Sequence, residues 1–112
     1  MPKARTLTSK DLQKTLLEAV EEGLAFLGES PKQAILFHLE NTFKLRVEEI
    51  PENLKGFKEA LEKIFGRGAS YIERLILERL LDKLNIKSET EGQDLQGFVE
   101  NLRKRLLFPG DA

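Results

Sequence analysis

The 112-residue chain has no cysteine and no tryptophan, and its one methionine is Met1. Without cysteine there is no disulfide framework, no Cys-ligated zinc, no iron–sulfur cluster and no thiol nucleophile. With one histidine, His38, and no cysteine, a zinc site is a weak reading, since zinc usually takes three or four N, O or S ligands. No apolar run approaches the roughly 18 residues of a membrane span. No apolar signal segment follows Met1, so the expected compartment is the cytoplasm. An excess of positive charge is also missing. Eighteen Lys and Arg face nineteen Asp and Glu, for a formal net charge of −1. Phosphate binding is driven by basic surface, so this balance argues against a dedicated nucleic-acid or anionic-membrane protein.

What the chain does have is charge of both signs. Charged residues make up 33% of it, against about 25% in an average domain. Glu alternates with Lys or Arg at helical spacing. Together with the scarcity of Cys, Met and Trp, this matches the profile of thermophile proteins, where ion-pair networks replace labile residues. The length suits one domain, which buries roughly two-thirds of its unfolded surface without a staple. Residues 1–8 are polar and basic and are read as a flexible N-terminal segment, with residues 9–108 as a single helical domain.

The apolar spacing predicts five helices, over about 9–27, 31–44, 54–65, 69–85 and 94–107. Thr8 and Asp11 resemble a capping box opening the first, whose stripe is Leu12, Leu16, Val20, Leu24 and Leu27; Gly28 ends it. Ser30, Pro31 and Gln33 form a start signal for the second. Its residues Ile35, Leu36, Phe37, Leu39 and Phe43 widen the apolar face, so it reads as buried on two sides. Residues 44–53 read as an extended connector whose Leu45, Val47 and Ile50 plug the core, with Asn53 capping the third helix. Gly66-Arg67-Gly68 is a tight break. The fourth helix holds Ile72, Leu75, Ile76, Leu77, Leu80, Leu81 and Leu84, more than one face buries. Helices two and four therefore read as the central pair. Lys87 to Gln93 is a polar linker, long enough for the fifth helix to pack on its own chain or exchange into a neighbour.

Short motifs in this order carry a family likeness. They are Leu16-Leu17-Glu18-Ala19-Val20, Gly23-Leu24, Leu27-Gly28-Glu29-Ser30, Lys32-Gln33-Ala34-Ile35, Phe37-His38-Leu39-Glu40 and Phe43. Glu49-Ile50-Pro51, Leu61-Glu62-Lys63-Ile64-Phe65-Gly66, Gly68-Ala69 and Leu75-Ile76 continue it. Residues 12–84 thereby resemble the archaeal NitrOD-type output domains, small helical domains that occur alone or joined to phosphoacceptor receiver domains. The resemblance implies a signalling or interaction role and brings no catalytic residue with it.

Residues with chemical potential are few. His38 lies mid-helix, one turn before Thr42, and reads as a core-edge residue bonded to a neighbour. Glu48, Glu49 and Glu52 form an acidic loop with nothing apolar nearby to separate their titrations. Gly66-Arg67-Gly68 follows a helix instead of a strand and lacks a Gly-Lys-Ser/Thr run, so it reads as a turn and not a phosphate loop. Helices three and four could be drawn as a helix-turn-helix presenting Ser70, Tyr71, Arg74 and Arg79, but Glu73, Glu78 and Asp82 share that helix. Lys3, Arg5, Arg103, Lys104 and Arg105, with Lys10 and Lys14, are the basic concentrations. Glu18, Glu21 and Glu22 form an acidic stripe on the back of the first helix.

The resulting expectation is an all-α, five-helix orthogonal or irregular bundle. It is expected to be a non-enzymatic protein–protein interaction or signalling-output module, self-associating or binding another protein. No cofactor, metal or small-molecule substrate is expected. Surplus apolar residues Leu36, Leu77, Leu81 and Phe108 are the candidate interaction surface. The alternative is a small transcriptional regulator or nucleic-acid-binding accessory protein using the basic patch of Lys3, Arg5, Arg103, Lys104 and Arg105.

Overall fold

The computed structural model describes residues 9–86 and 94–107. The chain forms α1 (Ser9–Ala25), α2 (Glu29–Thr42), a 3-10 segment (Val47–Glu52), α3 (Leu54–Phe65), a 3-10 turn (Gly66–Gly68), α4 (Ala69–Leu84) and α5 (Leu95–Leu107). Among the described residues there is no strand, and the architecture is the expected all-α bundle. The segment 1–8 lies outside them.

The central pair is α1 and α4, not α2 and α4. On α1, Leu12, Leu16, Ala19, Val20 and Leu24 recur every three or four residues and are all buried. The two helices run antiparallel. Glu18 and Glu22 meet Lys83, Glu22 also meets Arg79, and Gly23 lies against Ile76. A Cβ on Gly23 would stand 2.6 Å from Ile76 Cγ1 and 3.1 Å from its Cα. Glycine here lets the two backbones approach closely.

α2 is peripheral, which corrects the expectation that it is buried on two sides. Only Ile35 and Leu39 are buried. Leu36 and Phe43 are half-buried, and Phe37 points outward at 68% exposure. The helix also begins two residues earlier than its Ser-Pro signal. Gly28, at φ 114°, is the N-cap, and the Lys32 N–H donates to its carbonyl at 3.0 Å. Pro31 then sits in the first turn, where its missing N–H has no helical partner to lose. Gln33 donates to Glu29 at 2.8 Å instead of closing a box on Ser30.

The connector does plug the core, with Leu45 and Ile50 buried, but its backbone coils as a 3-10 segment through Pro51. Asn53 accepts from the Gly56 N–H at 3.0 Å and caps α3 as expected. α4 ends in a left-handed Asn85, φ 57°. The Asn85 and Ile86 N–H groups return to the Asp82 and Leu81 carbonyls at 3.1 and 3.0 Å, the paired bonds of a Schellman motif.

α5 packs on its own chain, against α3 and α4. Leu95 and Val99 are its buried anchors. Asp94 caps it by accepting from the Gly97 N–H at 2.8 Å, and binds Lys58 of α3 at 3.1 Å. At its other end Arg103 donates to the Pro51 carbonyl at 2.7 Å.

Candidate functional site

The structure redistributes the residues singled out by sequence. Leu77 and Leu81 are 1% and 6% exposed, so they are core residues and not an interaction surface. They follow Glu73 at four-residue spacing, on a face of α4 turned from the Ile76 stripe that meets α1. α4 packs on α3 and α5 as well as on α1, so it has more than one neighbour against which to bury leucines. Leu36 is half-buried against the core. Phe108 lies outside the described residues.

The basic patch is similarly reduced. Arg103 is part-buried and committed to the Pro51 carbonyl. One of its N–H donors is thereby engaged within its own chain. Lys104 is exposed, whereas Lys3 and Arg5 lie outside the described residues, as does the side chain of Arg105. Arg79, a reader in the helix-turn-helix drawing, is held by Glu22 at 3.1 Å and Asp82 at 3.3 Å. The acidic stripe of α1 is not a separate solvated face, because Glu18 and Glu22 are bound across the α1–α4 seam. The Lys83 ammonium above all holds the Glu22 carboxylate below the ordinary carboxylate range, against the opposing effect of desolvation and with a further contribution from Arg79. Glu22 in turn raises Lys83.

The other candidates are local structure. His38 is exposed, its Nδ1 3.1 Å from Thr42 Oγ1. Glu49 accepts the Arg46 N–H at 3.0 Å, and Glu52 accepts from Gln13 of α1 at 2.7 Å. Gly66, at φ 58°, ends α3, and the Arg67 carbonyl accepts from Ser70 Oγ at 3.3 Å. Two shallow clefts of about 200 and 190 Å³ flank Asn53, one beside Phe43 and Lys63, the other beside Gln96 and Arg103. Both are smaller than the roughly 300–1,000 Å³ of ordinary ligand pockets. Among the described residues no three His, Asp or Glu side chains are grouped to hold a metal, and no helix is long and apolar enough to cross a membrane.

Two features stand out that the sequence did not bring together, though Tyr71 and Arg74 were among the residues read as presented by the fourth helix. The first is a set of exposed aromatics. Phe26, Phe65 and Tyr71 are 71%, 36% and 55% exposed. Phe26 directly follows α1, Phe65 is the last residue of α3, and Tyr71 is in the first turn of α4. Because α1 and α4 are antiparallel, these three collect at one end of the bundle. Arg67 and Arg74 lie exposed at the same end. Phe65 and Phe26 could have been noticed as large apolar residues beside glycine breaks, where helix stripes stop.

The second is Glu73, the one buried charged residue among those described, 6% exposed. Among the described residues no hydrogen bond or ion pair reaches its carboxyl. Burial raises it above the ordinary carboxylate range, Lys58 opposes this, and Asp94 and Glu62 add to it. Lys58 itself is raised by its bond to Asp94. Asp94 is lowered, by the Gly97 N–H first and Lys58 second.

The geometry defines a small helical bundle with shallow clefts, one aromatic end and one buried carboxyl. No protein-family model, curated protein or solved structure matches the chain.

Proposed function

We propose that this domain is a non-enzymatic protein-binding module, of the signalling-output kind, and that its aromatic end is the contact surface. The observation that carries the reading is the gathering of Phe26, Phe65 and Tyr71 in the open beside Arg67 and Arg74. Aromatic residues and Arg are the types enriched at the centres of protein interfaces, where they bury large rigid areas at small entropic cost. The motif likeness of residues 12–84 to archaeal output domains supports a signalling setting, and the cysteine-free composition suits the cytoplasm. The partner is a protein, either a second copy or another chain.

The test compares wild type with Phe26→Ser/Tyr71→Ser. Both side chains are more than half exposed, so the helical circular dichroism should be unchanged. Sedimentation velocity reads self-association, and capture from native-host extract reads a separate partner. The reading requires at least one of these to be present in wild type and lost in the double variant. Equal behaviour of the two proteins refutes the aromatic end as the contact surface.

A further inference from the structure

The strongest unexplained feature is Glu73, a buried carboxyl within the influence of the Lys58–Asp94 ion pair. Lys58 stands near enough to act on Glu73, yet it is bonded to Asp94, the cap of α5, at 3.1 Å. The titratable groups acting on Glu73 are Lys58 and Glu62 from α3 and Asp94 from α5; α1, on the other side of α4, contributes none. Two carboxylates thus compete for one ammonium. With α5 docked, Asp94 holds it, and Glu73 is left buried beside two further acids.

We propose that α5 is a pH-gated latch, released when Glu73 gives up its proton and takes Lys58 from Asp94. In the closed state Glu73 is neutral, so its burial costs little, and Lys58 pairs with Asp94. In the open state the proton has gone to solvent, α5 has withdrawn with Asp94, water reaches Glu73, and Lys58 pairs with the Glu73 carboxylate. Three observations make α5 the element that moves. Among its described side chains only Leu95 and Val99 are buried apolar anchors, with Phe98 partly buried beside them. Polar contacts at its two ends, Asp94 to Lys58 and Arg103 to the Pro51 carbonyl, hold it down. It packs chiefly on α3 and α4, so its withdrawal leaves the α1–α4 seam intact. A buried carboxylate without a partner is expensive enough to drive such a change, since charges inside proteins require pairing or neutralisation.

Hydrogen–deuterium exchange with mass spectrometry tests this on the full chain, between about pH 5 and pH 8, with rates corrected for the intrinsic pH dependence of exchange. In wild type the protection of peptides from residues 95–104 should fall by at least about tenfold as pH rises, the scale set by an unsatisfied buried polar group. Peptides from α1 and α4 should change much less. In Glu73→Gln, which cannot ionise, α5 protection should stay flat. If that variant does not fold, Glu73→Met serves the same purpose. A flat wild-type profile overturns the latch. So does a pH dependence that persists in the variant, or a loss of protection that spreads equally over α1, α4 and α5.

Discussion

Gly23→Ala should destabilise the domain, although helix propensity alone says the opposite. Replacing glycine by alanine inside a helix gains about 0.8–1 kcal/mol of propensity. Against this stands the seam with α4. The new Cβ meets Ile76 Cγ1 at 2.6 Å, which a side-chain rotation could relieve. It also meets Ile76 Cα at 3.1 Å and N at 3.2 Å, which only a parting of the helices can relieve. Ile76 is fully buried, so its side chain has little room to turn. Overpacking of a filled core costs about 1–3 kcal/mol, and the net expectation is a loss of about 1 kcal/mol. Gly68→Ala is the control. Gly68 has φ −67° and ψ −13°, and its nearest neighbour for a Cβ is Phe65 Cβ at 3.6 Å, an ordinary contact. There the same substitution should stabilise by about 0.4–1 kcal/mol, by narrowing the unfolded ensemble. Urea unfolding followed by far-ultraviolet circular dichroism separates the two variants. A Gly23→Ala protein as stable as wild type, or more so, would show that α1 and α4 do not approach this closely.

The other predictions follow from burial and charge. Leu77→Ala should cost about 2–5 kcal/mol in thermal unfolding, as a fully buried leucine does, while Phe37→Ala on the open face of α2 should stay within about 0.5 kcal/mol of wild type. Glu22→Gln should lower stability at neutral pH by no more than about 1 kcal/mol, because the network is half-exposed. Glu22 is held below its unfolded value, so its contribution is present above the ordinary carboxylate range and lost as pH falls through the depressed value; wild type and variant should converge in acid. Arg103→Gln should loosen the C-terminal half of α5 in hydrogen exchange, since it weakens the bond to the Pro51 carbonyl. The same variant should leave fluorescence anisotropy of a labelled DNA duplex unchanged, and a steep salt-dependent loss of binding would instead revive the nucleic-acid reading.

Much of the fold was legible because it rests on local signals. The α1 stripe, the Gly28 stop, the Asn53 cap and the Gly66-Arg67-Gly68 break each follow from residue type and spacing. What spacing does not encode is which apolar faces meet. α2 and α4 both carry wide apolar faces, but α2 spends Phe37 on solvent, whereas α1 joins α4 through a glycine that reads as a mere weakness in a helix. Leu77 and Leu81 looked surplus because a count of leucines on one helix does not reveal that several neighbours share them. Glu73 was unremarkable among the charged residues of α4 for the complementary reason: its burial is set by tertiary packing and not by its own turn.

The contact surface is tested most directly by photo-crosslinking. A photoreactive phenylalanine analogue placed at Tyr71 reports from the aromatic end, and one at Lys55, on the first turn of α3, reports from the opposite end of that helix. Illumination of the purified protein, or of the protein in native-host extract, should give in at least one of the two a discrete higher-mass product from position 71 and none from position 55. No product from position 71, or equal products from both, would contradict the assignment of this domain as a binding module acting through its aromatic end.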